Sequence, residues 1–119
     1  MGFEKWTAKS RVFRRPTITL ARDARTFYLN RTALAGLGGA DWVSLWFDPG
    51  RRMVSIRPAK PTEEGSYHIM RDGERGSICC QAFAHAYGLS PGKFYPKIEA
   101  KSLTFWVGGG GDEDEDEAE

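Results

Sequence analysis

The sequence predicts a mostly β domain with short helices, in which two pseudo-symmetric ββαββ repeats close into one small β-barrel. Short runs of alternating apolar and polar residues, such as Met53–Arg57, are typical of half-buried strands. The pattern recurs about 50 positions later, where Arg25 and Gly38 become Arg75 and Gly88. A hydrophobic content of 40%, with 13% aromatic residues, is sufficient for one compact core.

The first repeat covers residues 17–57. After two short strands, Asn30 is a preferred N-cap residue for a short helix, and Gly38 stands where a left-handed residue ends it. A hairpin follows around the turn Asp48–Gly50. The strands of this repeat are predicted at Ile18–Leu20, Thr26–Asn30, Trp42–Phe47 and Met53–Arg57.

The linker 58–66, rich in Pro, Lys, Thr, Glu and Gly, separates this unit from the second repeat, residues 67–107. Asp72-Gly73 is a tight-turn signal between two strand-like runs, and Gly88 again ends a short helix. Pro96 removes a backbone donor and therefore predicts an edge position or a bulge. The strands are predicted at Tyr67–Met70, Gly76–Cys80, Phe94–Ile98 and Ser102–Val107.

A hairpin, a short helix ending in Leu-Gly or Tyr-Gly and a second hairpin together resemble the AbrB/MazE family. The residues that carry the likeness are Arg25–Asn30, Leu34, Leu37-Gly38 and Trp42–Arg57, with Arg75–Cys79, Phe83 and Tyr87-Gly88 in the second half. The resemblance implies a swapped-hairpin β-barrel, built by one chain as a pseudo-dimer, and a DNA-binding regulator. The short helices lack the basic residues that the family often has there, which favours single-stranded DNA as the alternative ligand.

Charge divides the chain into three parts. Residues 1–16 form a basic N-terminal arm, and residues 108–119 form a glycine linker with an acidic tail that we expect to be disordered. Residues 1–111 hold all 17 Lys and Arg and nine of the 16 acidic residues, a formal charge of +8. A basic body of this kind predicts a polyanionic partner.

The candidate nucleic-acid-binding residues are arginines in the arm and at predicted turns, because a guanidinium binds phosphate oxygens bidentately. They are Arg11, Arg14, Arg15, Arg22, Arg25, Arg51, Arg52, Arg71 and Arg75. Neighbouring aromatic residues in one strand must face opposite sides, so some aromatic rings should be exposed. The candidates for base stacking are Tyr28, Trp46 and Trp106. Solvated turns and an oligomer interface are the competing interpretations.

The sequence does not predict an enzyme. It contains no phosphate-binding loop of the GxxxxGK[ST] kind and no HExxH motif, and Gly36–Gly39 reads as a helix terminus. Cys79 and Cys80 are adjacent, so we expect them to be reduced, with Cys79 buried as a small hydrophobic residue. With His68 and His85 they give no zinc-ligand spacing. We therefore expect no catalytic residues, no metal and no cofactor.

The function expected from the sequence is non-enzymatic nucleic-acid binding, with an AbrB-like regulator of duplex DNA as the first interpretation. The alternatives are a single-stranded DNA-binding protein and a protein-interaction module or inhibitor of the kind that phages encode. A protein partner could also use the acidic tail. No apolar run approaches the roughly 20 residues of a membrane span, and no signal peptide is recognisable. A cytoplasmic location in a prokaryotic or phage-infected cell is expected.

Removal of Asp112–Glu119 should tighten DNA binding at low salt, because the seven carboxylates of this segment compete with phosphates for the basic body. Fluorescence anisotropy of the full and shortened chains with the same labelled DNA measures the difference. Equal affinities would leave the tail with a solubilising role.

Overall fold

The computed structural model describes residues 15–108, which form ten β-strands and two short helices. The strands are β1 (Ile18–Leu20), β2 (Thr26–Leu29), β3 (Trp42–Asp48), β4 (Met53–Pro58), β5 (Ser66–His68), β6 (Met70–Asp72), β7 (Arg75–Cys79), β8 (Gly92–Phe94), β9 (Lys97–Glu99) and β10 (Ser102–Trp106). The helices are α1 (Arg31–Ala35) and α2 (Gln81–Ala86). A mostly β fold with short helices is thus confirmed for this range.

The strands form two antiparallel five-stranded sheets. The first sheet has the order β6-β7-β2-β1-β8, and the second has the order β5-β3-β4-β10-β9. In the first sheet Leu20 pairs with Phe27, and 50 residues later Met70 pairs with Ser77. The second sheet shows the same offset of 50 residues between cross-strand pairs, because Phe47 pairs with Val54 and Lys97 pairs with Thr104. Each sheet therefore combines one hairpin from each half of the chain, in the same register.

The prediction of a closed barrel is wrong. The chain passes from the second sheet to the first between β5 and β6, and it returns between β8 and β9. Buried Ile69 occupies the first of these corners, and buried Pro96, which has no N–H to donate, occupies the second. Strands that bend in this way carry the chain between packed sheets without closing a ladder of hydrogen bonds.

The core lies between the two sheets. Phe27 of the first sheet packs edge to face against Phe105 of the second, with ring centroids 5.8 Å apart. Phe94 lies against the same Phe105 ring at 5.2 Å. Aliphatic side chains from both sheets surround these rings, and the fully buried ones include Ile18, Leu20, Leu29, Val54, Ile56, Ile78 and Leu103. One apolar core therefore joins both halves of the chain.

The helices are short, and α2 ends as the sequence predicts, whereas α1 ends earlier. Asn30 caps α1, because its Oδ1 accepts hydrogen bonds from the backbone N–H groups of Ala33 at 2.9 Å and Thr17 at 3.0 Å. Its Nδ2 also donates to the backbone oxygen of Arg15 at 2.8 Å. Gly88, with a φ of +61°, follows the cap residue Tyr87 of α2, as expected for a residue that ends a helix. Helix α1 instead ends at Ala35 with its cap at Gly36, where φ is −65°, and Gly38, with a φ of +67°, lies in the turn that follows. Asn30 thus ties helix α1 to the start of β1.

Asn30→Ala should lower the free energy of unfolding by about 1–2 kcal/mol, because it leaves two backbone N–H groups without their acceptor. Asn30→Asp retains the acceptor oxygen and loses only the Nδ2 donation, so its loss should be smaller. Urea unfolding of the three chains measures both effects. Equal losses in the two variants would show that the cap contributes little.

Candidate nucleic-acid interface

The outer face of the second sheet presents two exposed tryptophans. Because side chains alternate along a strand, burial of Phe105 places Thr104 and Trp106 outward. Trp46 of β3 is paired with Ser55 of β4, and Ser55 is paired with Thr104 of β10. Lys97 of β9 continues this row, opposite Thr104. We call this surface the tryptophan face: Ser44, Trp46, Met53, Ser55, Arg57, Lys97, Thr104 and Trp106.

The Trp46 ring is held on its strand by polar contacts. Its Nε1 donates a hydrogen bond of 2.8 Å to Ser44 Oγ. The guanidinium of Arg57 lies 4.8 Å from the ring centroid, and Arg57 Nε donates to Ser55 Oγ at 3.0 Å. Half of the Trp46 surface, 50%, is nevertheless exposed. The ring is therefore oriented and still accessible to a ligand.

Trp106 lies where β10 ends. Its residue surface is 60% exposed, and its ring lies so close to Gly108 that a Cβ there would stand 2.6 Å from Trp106 Cη2. Gly108 has a φ of +56°, and its carbonyl oxygen accepts from Arg52 Nε at 3.0 Å. Glycine is thus needed at position 108 both for its left-handed backbone and for the space taken by the indole ring.

Met53 and the small side chain of Ser55 lie between the two tryptophans. Strand spacing and rise place the tryptophan Cα atoms roughly 12 Å apart across β4 and β10. On β4, Met53 is the direct partner of Trp106 and Ser55 is the direct partner of Trp46, and Thr104 precedes Trp106 on the same face of β10. Both indoles remain half exposed or more, and Arg57 supplies positive charge at the same surface. Lys97 adds a second cation, whose Nζ lies 3.9 Å from Glu99 Oε2 in an exposed ion pair. This combination is suited to stacking on bases and pairing with phosphates.

The first sheet presents a different outer face, which contains the third aromatic candidate. Tyr28 of β2 is 53% exposed and is paired with Thr19 on one side and Ser77 on the other. Met70 and Lys93 lie at the two ends of this row, opposite Ser77 and Thr19. We call this surface the tyrosine face: Thr19, Thr26, Tyr28, Met70, Arg75, Ser77, Cys79 and Lys93. Tyr28 is thus not on the same surface as the two tryptophans.

The turn arginines of the two halves do not form one group. Thr26 is paired with Cys79 at one end of the β2–β7 ladder, and Leu29 is paired with Gly76 at the other, roughly 10 Å away. Arg22 and Arg25 therefore lie beyond the first end, whereas Arg71 and Arg75 lie at the second. Arg71 is also engaged, since its Nη2 donates to Ala40 O at 2.7 Å and its Nε lies 3.4 Å from Asp41 Oδ1.

The other candidate arginines have diverse surroundings. Arg51 Nε lies 3.8 Å from Asp48 Oδ2, and Arg15 lies over the ring of Tyr95 with its Cζ 3.9 Å from the centroid. Arg52 bonds to the carbonyl oxygen of Gly108, and its Nη1 donates to Tyr87 O at 3.4 Å. Arg52 therefore joins the β3–β4 turn to the end of β10. Arg11, Arg14 and the acidic tail lie outside the described residues.

Sequence reasoning missed Arg57 and Lys97. Neither belongs to a predicted turn: Arg57 comes from a strand that alternates between buried and more exposed residues, and Lys97 comes from a strand whose three residues are all exposed. Their pairing partners show that they share a face with Trp46. One signal was available for Arg57: Val54 and Ile56 are the apolar positions of β4, so alternation predicts that Arg57 faces the outer side with Ser55.

Residues 15–108 hold 13 basic and eight acidic residues, a formal charge of +5. Within this range no group of three His, Cys, Asp or Glu residues is arranged to hold a metal ion. No helix of the described part is long and apolar enough to cross a membrane. The formal charge of +5 shows that residues 15–108 are basic even without the N-terminal arm.

The two cysteines differ from the expectation, because Cys80 is buried and Cys79 is exposed. Cys79 lies two residues after Ser77, so it faces the same outer side of the sheet, opposite Thr26. Cys80 follows the strand and is the N-cap residue of α2. Burial raises the pKa of Cys80 from 9.0 to about 12. The exposed thiol therefore lies on the tyrosine face.

Ellman's reagent should modify one thiol of the native protein quickly and the second only as fast as the chain unfolds, because Cys80 is buried and stays protonated. Simultaneous modification of both thiols in the native state would contradict this assignment.

The raised pKa of Cys80 also predicts a loss of stability in alkali. The stabilising contribution of the neutral Cys80 is complete below about pH 9 and declines as pH rises toward 12, since the unfolded thiol ionises first.

Comparisons of the chain with protein-family models, with curated proteins and with solved structures give no match. The likeness to AbrB/MazE therefore rests on the short motifs of the chain alone. The functional interpretation rests on the geometry of the two outer faces.

Proposed function

We propose that this protein is a non-enzymatic nucleic-acid-binding protein whose tryptophan face binds single-stranded DNA. The observation that carries the proposal is the exposure of Trp46 and Trp106 on one sheet face that also presents Arg57 and Lys97. A monomeric domain stabilises its fold by burying such rings, so their exposure at half or more of their surface favours a binding role.

Stacking and charge together suit an unpaired strand. Each base stacked on an aromatic ring contributes about 1–3 kcal/mol, and every base offers a π-face, so binding tolerates any sequence. The guanidinium of Arg57 orients Trp46 and lies close enough to contact a phosphate beside a stacked base. In a duplex the base faces are covered by their neighbours, so these rings could not reach them.

The helices give a second argument for single strands. Duplex readers commonly insert a helix with basic side chains into the major groove. Helix α1 has five residues, and its one arginine, Arg31, lies 3.4 Å from Glu74. Helix α2 has six residues and no Lys or Arg. Neither helix is suited to that role.

Duplex DNA is the second candidate ligand, through an AbrB-like arrangement. The equal hairpin registers in the two halves support descent from a duplicated ββαββ unit of the swapped-hairpin kind. Arg22, Arg25 and Arg75 are exposed at turns and strand ends, where they could neutralise duplex phosphates. This candidate predicts that these arginines, rather than the tryptophans, determine affinity.

Fluorescence anisotropy with labelled single-stranded and duplex DNA across a salt series tests the proposal on the full chain. We expect tighter binding to the single strand and a steep loss of affinity with salt, with a slope of about −0.7 per neutralised phosphate. Tighter binding to duplex would support the second candidate. Absence of binding at about 50 mM salt, with and without Asp112–Glu119, would refute both and favour a protein-interaction module.

Trp106→Leu and Trp46→Leu should each weaken single-strand binding by about tenfold, because each removes a stacking surface. The matched variants Trp106→Tyr and Trp46→Tyr keep a ring and should retain most of the affinity. Thermal unfolding of all four chains checks that the fold is unchanged. If the leucine and tyrosine variants bind equally well, the rings do not stack on bases.

A further inference from the structure

We infer that the tyrosine face is a second strand-binding surface, so that one chain holds two segments of single-stranded nucleic acid on opposite sides of the domain. The inference rests on the proposed function and goes beyond it, because it assigns a separate site and a bridging activity. The two sites are built from different sheets and from different sequence elements.

The layout of the tyrosine face resembles that of the tryptophan face. Tyr28 is 53% exposed and lies between the small side chains of Thr19 and Ser77, which pair with it directly. Lys93 follows Thr19 at the edge of the sheet, as Lys97 follows Thr104 on the other sheet. Both rows therefore combine an open aromatic ring, hydroxyl side chains and a lysine at the edge strand.

The charge around the tyrosine face suits a polyanion. Arg75 lies two residues before Ser77 in β7 and therefore faces outward on the same side of the sheet. Arg22 and Arg25 lie in the turn that precedes Thr26. Within residues 15–108 none of these arginines, nor Lys93, lies within ion-pair distance of a carboxylate.

Three acidic residues lie close to these arginines. Asp23 Oδ1 accepts from the backbone N–H of Arg25, and Glu74 is paired with Arg31. Asp72 is the cross-strand partner of Arg75 in the ladder. Two basic side chains, Arg75 and Lys93, thus lie on the face of the exposed Tyr28 ring with a single carboxylate, that of Asp72, while Arg22 and Arg25 lie at the turn beyond one end of this face.

A second copy of the chain is a less suitable occupant. Interfaces of homodimers are rich in apolar area at their centre. On the tyrosine face the large apolar side chains are Tyr28 and Met70, and hydroxyl groups and cations surround them. A nucleic-acid strand offers both a base for the ring and phosphates for the cations.

The core keeps the two faces apart. Phe27 and Phe105 fill the space between the sheets, so their neighbours Tyr28 and Trp106 point away from each other. Packed sheets lie about 10 Å apart, and the side chains of both outer faces add to this separation. One stacked base cannot contact both faces, so a short oligonucleotide should occupy one face at a time.

Cys79 offers a direct test of occupancy, because its exposed thiol lies on the tyrosine face and Cys80 is buried. We expect a saturating oligothymidylate of roughly eight nucleotides to slow alkylation of Cys79 by iodoacetamide at least fivefold. The chain with Trp46→Leu and Lys97→Gln should show the same protection once saturated. An unchanged alkylation rate, with binding demonstrated by anisotropy, would overturn the inference and leave the proposed function standing.

Bridging is tested by energy transfer between two such oligonucleotides, one with a donor dye and one with an acceptor. The native chain should bring them together at equimolar protein. Tyr28→Leu with Lys93→Gln, and the matched Trp46→Leu with Lys97→Gln, should each still bind one oligonucleotide but lose most of the transfer. Native-level transfer in the Tyr28 variant would assign bridging to self-association and overturn the inference, and absence of any binding would refute the proposed function itself.

Discussion

The packing of Phe27 against Phe105 is the contact on which the orientation of both sheets depends. Each ring comes from the central strand pair of its sheet, β2–β7 or β4–β10, where the two halves of the chain meet. Once these rings are buried, alternation along each strand determines which face of the sheet every neighbouring side chain occupies. Tyr28 and Trp106 point outward because Phe27 and Phe105 point inward.

Exposure of the aromatic rings has a thermodynamic cost that the core must offset. Burial of a large side chain stabilises a fold by about 1.5–3 kcal/mol relative to its exposure, and three such rings forgo part of this gain. The domain tolerates the loss because its core contains aliphatic and aromatic side chains from both sheets. Stacking on bases could return part of this free energy on binding, which links exposure to function.

The arginines show how the same residue type serves two purposes. Arg52 bonds to the carbonyl oxygens of Gly108 and Tyr87 and so connects a turn with two other segments. Arg71 is bound to Asp41 and to the backbone of Ala40 at the corner between the sheets. Arg57 instead orients Trp46 on an open face. Charge alone therefore does not identify a phosphate contact.

The sequence by itself determined the local elements. Residue alternation predicted the strands, Asn30 predicted the start of α1 and Gly88 the end of α2, because capping and left-handed backbone depend on a few neighbouring atoms. The sequence also predicted that some aromatic rings are exposed, since one of two adjacent aromatic residues in a strand must face outward, and Trp46 and Trp106 are exposed.

Only the tertiary structure decided how these elements combine. The corners at Ile69 and Pro96 separate two sheets where a barrel was predicted, because strand closure depends on distant pairing partners. The same pairing places Tyr28 on a different surface from the tryptophans and adds Arg57 to the latter. Register and sheet order bring together residues far apart in the chain, and no local pattern encodes them.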